Sequence, residues 1–261
     1  MNIKDLGTQL LFTTVHIWAE KKDGGKSTGT GFIYSVDGQE KDTFLPFLVT
    51  ANHVTQDSSR VLVEFVLSEN DAPNPGEKFR AEIKGKYFEK YREIEDDLSA
   101  IPLGGLFNHI QRSGKEIFCR SIDETMVPEN DAIAELSAIE EVTFIGYPSG
   151  LHDQVNGLPL VRKGTTSSPI WSDFKGKSCF VIDAGVFPGS SGSPVFIFNN
   201  VAYAHDGNFA IGNRLLFVGM VSDVIRRRES TQPDVYLNLG KVIKAAVVKE
   251  FLSSVVAKLG E

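Results

Sequence analysis

Residues 188–194, Pro-Gly-Ser-Ser-Gly-Ser-Pro, are the stretch that decides the fold and the chemistry expected of this chain. A serine alcohol is a weak nucleophile, and its attack on an amide carbonyl creates an oxyanion that needs converging N–H donors. Gly189 and Gly192 can adopt backbone conformations closed to other residues, so the chain can curl into such a nest. Ser191 is therefore the candidate nucleophile, and the N–H groups of Gly189 and Ser191 form the candidate oxyanion hole.

A glycine-serine pattern alone is more often a turn in a β-hairpin, so other residues must support the chemistry. His53 follows an apolar run at 47–51, where a histidine can serve as general base to a serine and then as acid to a leaving amine. Asp97 directly precedes a second apolar run, and a carboxylate there can fix the tautomer of the histidine and stabilise its cation. The sequence therefore predicts a catalytic triad of His53, Asp97 and Ser191.

Short segments rich in Val, Ile, Phe and Thr recur along the chain between Gly, Pro, Asn and Asp residues, which is typical of β-strands joined by turns. Two sets of about six segments predict an all-β fold of two antiparallel six-stranded β-barrels. The first set covers 10–18, 29–36, 44–50, 60–67, 79–87 and 98–103, and the second covers 141–147, 160–166, 179–184, 193–198, 215–222 and 235–238.

Residues 239–259 carry apolar side chains at three- and four-residue steps, which predicts a C-terminal α-helix packed on the second barrel. The expected organisation is a single folded unit in three parts. These parts are an N-terminal barrel at 8–115 with His53 and Asp97, a C-terminal barrel at 116–238 with Ser191, and a closing helix at 239–261.

The composition limits the partners. With a net charge of −7, the chain gains nothing from a polyanion, so we expect no nucleic acid partner. An acid among residues 1–7 argues against a secretory signal, and no apolar run is long enough to span a bilayer, so we expect no membrane partner. Only two cysteines, Cys119 and Cys179, favour a reduced, cytoplasmic setting, and their spacing predicts no metal or other cofactor. The expected partner is a polypeptide substrate, and the oligomeric state stays open.

Together, the three motifs resemble those of the trypsin-like, chymotrypsin-fold serine peptidases. Residues 50–53 resemble the family's Thr-Ala-Ala-His, residues 97–101 its Asp-Ile-x-Leu-Ile, and residues 189–194 its Gly-Asp-Ser-Gly-Gly-Pro. Residues 182–189 and 218–222 are similar to the Thr-Asp-Ala-x-x-x-Pro-Gly and Ile-Gly-Ile-Asn-Thr segments of the HtrA-like bacterial branch. The resemblance implies a serine endopeptidase that acts through an acyl-enzyme. No PDZ domain of the kind that HtrA-like proteins append is expected, since the chain stops at the closing helix.

Two departures from the family pattern bear on activation and specificity. Ser190 replaces the aspartate that pairs with a freshly cut N-terminus in digestive relatives, so we expect no propeptide cleavage. The resemblance places Gly185 at the floor of the primary pocket. Because Gly185 supplies no acid and Met220 and Val221 are apolar, a small or medium apolar side chain is expected at the cleavage site. The backbone of residues 219–221 (Gly219, Met220 and Val221) is expected to pair with an extended substrate.

Two other functions compete with hydrolysis of peptide bonds. The same fold could be a catalytically latent module that binds peptides or proteins until a partner activates it; the intact triad argues against this. An esterase of the α/β-hydrolase class would place its serine before its aspartate and histidine, within Gly-x-Ser-x-Gly. Residues 189–192 do not have that spacing, and the triad residues occur in a different order.

Overall fold

In the computed structural model of the chain, residues 1–38, 43–205, 208–229 and 232–259 are described. The first half is built mainly from strands. Its elements are α1 (Leu6–Leu10), β1 (Thr14–Lys21), β2 (Lys26–Asp37), β3 (Phe44–Ala51), α2 (Asn52–Thr55), β4 (Ser58–Glu69), β5 (Ala72–Lys84), α3 (Lys86–Lys90), β6 (Arg92–Glu93), β7 (Leu98–Pro102), α4 (Gly104–Arg112) and β8 (Ile122–Asp123).

These strands form one sheet, in the order β5-β4-β1-β2-β3-β7-β6, and β8 pairs in parallel with β2. Within the described residues the sheet has eight strands, two more than the sequence indicated, because two-residue strands such as β6 carry no periodic signal. The strand predicted at 10–18 begins only at Thr14. Leu10 ends α1 instead, because the side chain of Asp5 caps that helix by accepting a hydrogen bond from the N–H of Thr8.

The second half contains the remaining elements. They are α5 (Asn130–Ala134), β9 (Glu141–Gly146), β10 (Leu160–Thr166), β11 (Cys179–Asp183), β12 (Pro194–Asn199), β13 (Ala202–His205), β14 (Asn208–Ile211), β15 (Arg214–Glu229), β16 (Gln232–Lys244) and α6 (Ala245–Leu259). Across the described residues, six of these strands close into a barrel in the order β10-β11-β16-β15-β12-β9. The predicted all-β architecture with a second barrel and a C-terminal helix is therefore confirmed.

The C-terminal helix begins later than its apolar pattern suggested. Residues 239–244 extend β16 and pair with β11, since β-branched Val242 and Ile243 suit a strand as well as a helix. The helix then packs against strands of both halves, β15 and β16 on one side and β7 on the other. Its buried side chains Leu252 and Val255 join the same apolar cluster as Val49 of β3. It therefore bridges the two halves rather than covering the second barrel alone.

Cys119 and Cys179 are both free thiols. In the part of the chain that the structure describes, no helix is long and apolar enough to cross a membrane.

Candidate active site

His53 lies on α2, a single helical turn that directly follows β3. The N–H of Asn52 donates to the carbonyl of Asp97 at 2.9 Å, which ties the start of this turn to the first residue before β7. At its other end, the ammonium group of Lys21 donates to the carbonyls of His53, Val54 and Gln56 at 3.2, 3.0 and 2.7 Å. Because helix-end carbonyls have no partner within the helix, this cation satisfies them and holds the backbone of His53 in place.

Asp97 holds His53 through two hydrogen bonds, one from its backbone and one from its imidazole. Its Oδ1 accepts from the N–H of His53 at 2.9 Å, and its Oδ2 lies 2.8 Å from His53 Nδ1. Ser222 on β15 donates its hydroxyl to the same Oδ2 at 2.9 Å. Burial by itself would raise the pKa of Asp97, but the hydrogen bonds and charge of His53, helped by Ser222, lower it below its ordinary value. An ionised Asp97 accepts a hydrogen bond from the N–H at Nδ1 of His53, which leaves Nε2 free to act as a base.

The loop before Ser191 is a turn that fixes the peptide between Pro188 and Gly189. The N–H of Ser190 donates to the carbonyl of Phe187 at 2.9 Å, and Gly189 has a φ of +88°, as a type II turn requires at its third position. The carbonyl of Pro188 accepts from the N–H of Ser149 at 2.5 Å. Since the C=O and N–H of one peptide point in opposite directions, the N–H of Gly189 points away from Ser149.

The two N–H groups proposed for the oxyanion hole are available. Among the described residues, neither the N–H of Gly189 nor that of Ser191 has a hydrogen-bond partner. The carbonyl of Ser191 accepts from the N–H of Thr30 at 2.9 Å, and the N–H of Gly192 donates to the carbonyl of Val221 at 2.7 Å. Gly192 has a φ of +90°, and a Cβ added there would collide with the carbonyl oxygen of Thr30. These contacts fix the backbone on both sides of the serine.

The structure brings the segments of Ser191 and His53 side by side, but it does not join their side chains. Gly29 of β2 lies between them: a Cβ added there would be 2.7 Å from the side chain of Val54 and 3.2 Å from the carbonyl oxygen of Ser191. Only 8% of Ser191 is exposed. Within the described part of the chain, the hydroxyl of Ser191 makes no hydrogen bond, whereas His53 and Asp97 are directly bonded.

Thr30 connects the oxyanion loop to the rest of the molecule, and no role for its side chain was predicted from the sequence. Its hydroxyl donates to the carbonyl of Gly189 at 3.0 Å and accepts from the N–H of Tyr147 at 3.0 Å. The side chain is fully buried. Its position between Gly29 and Gly31 is the sequence signal that could have indicated a close approach of backbones.

Residues 29–200, more than half of the chain, match the model of the trypsin-like peptidase domain. The chain belongs to the trypsin-like peptidase family. No curated protein matches it by sequence.

Solved structures agree with this family fold. A variant of the HtrA-type protease AlgW, solved with a tripeptide, superposes with a TM-score of 0.54 at 17% identity, over 98% of this chain and 64% of its own. The serine endoprotease from Yersinia pestis superposes with a TM-score of 0.50 at 15% identity, over 95% of this chain and 64% of its own. The MamO protease domain from Magnetospirillum magneticum, in its apo form, superposes with a TM-score of 0.50 at 15% identity, over 94% of this chain and 98% of its own. The chain thus spans 64% of the length of the first two proteins.

The backbone expected to bind substrate, at residues 219–221, is already paired within the barrel. Gly219 lies between Val195 and Lys244, and Met220 lies between Pro194 and Ile243 in the barrel. Val221 donates its N–H to Ser193 and accepts from Gly192. The side chains of Met220 and Val221 are fully buried in the two apolar cores.

A free strand edge lies directly beyond these residues on β15. Asp223 and Val224 pair with Lys241 and Gly240 of β16, and the described residues supply no strand on their other side. An extended peptide can add to such an edge through main-chain hydrogen bonds.

The surroundings of Gly185 also differ from the predicted apolar pocket. A Cβ added to Gly185 would lie 2.6 Å from Nη2 of Arg162 and 3.3 Å from the ring of Phe187. The guanidinium of Arg162 lies over the rings of Phe187 and Phe144, with Cζ 5.0 and 5.7 Å from their centroids. A cation from β10 therefore occupies the space beside Gly185. Sequence reasoning missed Arg162 because the pairing of β10 with β11, which brings Arg162 next to this loop, has a register that no motif gives.

Proposed function

We propose that this chain is a serine endopeptidase that hydrolyses peptide bonds through an acyl-enzyme, with His53, Asp97 and Ser191 as its triad. The observation that carries the proposal is the pair of hydrogen bonds from His53 to Asp97, beside a serine whose loop presents two unpartnered N–H groups. This arrangement matches the three roles that acyl transfer by serine needs: a nucleophile, an oriented base and an oxyanion stabiliser.

In the proposed reaction, Nε2 of His53 takes the proton of Ser191 as Oγ attacks the carbonyl carbon of the substrate. The N–H groups of Gly189 and Ser191 stabilise the oxyanion, while the carboxylate of Asp97 stabilises the imidazolium. His53 then gives the proton to the leaving amine, and the acyl-enzyme remains. A water molecule, activated by His53 in the same way, releases the acyl group.

The contacts around the oxyanion loop support activity without an N-terminal ion pair. Ser190 stands where digestive relatives have an aspartate, and its Oγ is 3.5 Å from the N–H of Phe187. The loop is held instead by the N–H of Ser149 and the hydroxyl of Thr30. We therefore propose that no cleavage of a propeptide is needed to shape the oxyanion hole.

Labelling with a fluorescent fluorophosphonate tests the proposal, because it requires a nucleophilic serine, its base and an oxyanion hole together. We expect the native protein to be labelled and the Ser191→Ala and His53→Ala variants to be inert, since loss of a triad nucleophile costs on the order of 10⁶ in rate. Labelling that survives Ser191→Ala would refute the assignment of the nucleophile.

A latent binding module is the second candidate, and one observation favours it. No hydrogen bond joins the hydroxyl of Ser191 to His53 in the described structure, although such bonds often tighten only in the substrate complex. A folded native protein that resists the fluorophosphonate alone, and reacts once a peptide substrate is present, would support this second candidate.

The free thiols of Cys119 and Cys179 support a reduced setting, and we propose a cytoplasmic location on that basis. Thiol titration of the denatured protein, isolated from its own cells under non-reducing conditions, should find both cysteines free. A disulfide in that material would refute the location.

A further inference from the structure

Arg162 is a cation without a counter-ion beside the loop that carries the nucleophile. In the described ranges, no carboxylate lies within ion-pair distance of its guanidinium. Asp183 and Asp223 are exposed nearby residues, and neither pairs with it. Its neighbour Lys163 points to the other face of β10 and pairs with Glu141. A lone guanidinium held between rings is pre-organised to receive a planar anion.

Arg162 lies beside the loop that leads to the candidate nucleophile. The guanidinium lies over Phe187, the residue that opens the turn leading to Gly189 and Ser191. Its environment is partly apolar, because Phe144 and Phe187 flank it, and burial lowers the pKa of Arg162 below its ordinary value. The guanidinium nevertheless stays charged at every physiological pH. A carboxylate that approached it would therefore meet a cation with few water molecules around it.

The free edge of β15 gives the direction of the substrate. A peptide strand added at Asp223 and Val224 runs past Ser191, because Gly192 is bonded to Val221 just before that edge. The loop at 184–187 lies across from this edge, since Ala184 is bonded to Asn238 of β16, the strand that pairs with β15. The substrate side chain next to the attacked carbonyl enters the space between them.

We propose that Arg162 is a specificity-determining residue, which selects an acidic side chain, Glu or Asp, on the residue that becomes acylated. The inference rests on the proposed function and deepens it, and it replaces the apolar preference that Gly185 suggested. Glycine at 185 leaves room for the present position of the guanidinium, because a Cβ there would lie 2.6 Å from Nη2. The substrate carboxylate accepts hydrogen bonds from the guanidinium, and the two planar groups match in shape.

Four peptides that differ only at the acylated residue, Glu, Gln, Leu or Lys, test the proposal. We expect the native protein to cleave the Glu peptide with a kcat/KM roughly 10- to 100-fold above that of the Gln peptide, as charge-assisted hydrogen bonds allow. Arg162→Gln should remove that preference while the Gln and Leu peptides keep their rates, and Arg162→Glu should shift preference toward Lys. Lys163→Gln, a change of the neighbouring cation on the opposite face, should leave the profile unchanged.

Fluorophosphonate labelling of each variant separates this inference from the function on which it rests, because that probe carries no amino-acid side chain. Normal labelling with equal cleavage of the Glu and Gln peptides would overturn the role of Arg162, while the proposed endopeptidase function would be unaffected. An identical loss of Glu preference in Lys163→Gln would also overturn it, because the effect would then be one of general charge. A native protein that is neither labelled nor cleaves any of the peptides would overturn both proposals.

Discussion

Acidification should destabilise the protein through His16, a buried histidine of β1. Only 3% of this residue is exposed. Its Nε2 lies 2.7 Å from the hydroxyl of Thr28, while its Nδ1 is buried with no hydrogen-bond partner among the described residues. The ring stacks on Tyr147, with centroids 4.8 Å apart. A second proton on this imidazole would therefore be a buried charge with no acceptor at Nδ1.

The size of the effect follows from linkage. Burial, with a smaller contribution from the charge of His152, lowers the pKa of His16 from 6.5 to about 3. Because the folded-state pKa is the lower one, the unfolded chain binds more protons, and stability falls as the pH drops through 6.5 toward 3. Between pH 7 and pH 5 the free energy of unfolding falls by about 2 kcal/mol. This loss depends little on the pKa of His16 in the folded protein while that pKa stays below about 4.

Urea unfolding followed by circular dichroism at pH 7 and pH 5 measures this loss. We expect the free energy of unfolding of the native protein to fall by about 2 kcal/mol more between pH 7 and pH 5 than that of His16→Gln. His109→Gln, which changes an exposed histidine on α4, should behave like the native protein. A pH dependence that is the same in the native protein and in His16→Gln would refute the reasoning.

Three further predictions concern the oxyanion loop and the triad. Thr30→Val should lower kcat about 10-fold or more with little change in KM, and Thr30→Ser should keep the native kcat. As a control, Thr166→Val removes another buried hydroxyl that bridges two backbone groups, those of Ala138 and Glu140. This control variant should lower only the melting temperature. Asp97→Asn should lower kcat on the order of 10⁴-fold in a steady-state peptide assay, because the amide favours the wrong tautomer of His53; normal rates would disprove the triad. Gly192→Ala should abolish fluorophosphonate labelling, since its Cβ meets the carbonyl of Thr30, and a labelled variant would contradict the rigid loop.

Local patterns were enough to predict the architecture and the bonded His53 and Asp97 pair. His53 follows a strand and Asp97 precedes one, and β3 pairs with β7 so that these two strand ends meet. The second barrel could be predicted because each of its strands carries its own run of apolar and β-branched residues. The start of α6 could not, because residues 239–244 fit a strand and a helix equally well, and pairing with β11 decided between them.

The residues that sequence reasoning missed act through contacts between distant parts of the chain. Thr30 reaches Gly189 from β2, and Ser222 reaches Asp97 from β15. Arg162 occupies the space that the absence of a side chain at Gly185 leaves open. The pairing of residues 219–221 within the barrel could not be predicted, because a motif gives the order of residues and not which strand edges are already paired.

The position of α6 has a consequence for biosynthesis. Leu252 and Val255, near the end of the described chain, share one apolar cluster with Val49 and with Leu98, the residue that follows Asp97. The sheet that contains Val49 and Leu98 therefore lacks part of its interior until α6, which is translated after it, has emerged from the ribosome. A nascent chain stalled before residue 245 should remain sensitive to added protease and inert to fluorophosphonate, and it should gain both protection and reactivity on release. The proposed active site would thus become competent only once α6 has been synthesised.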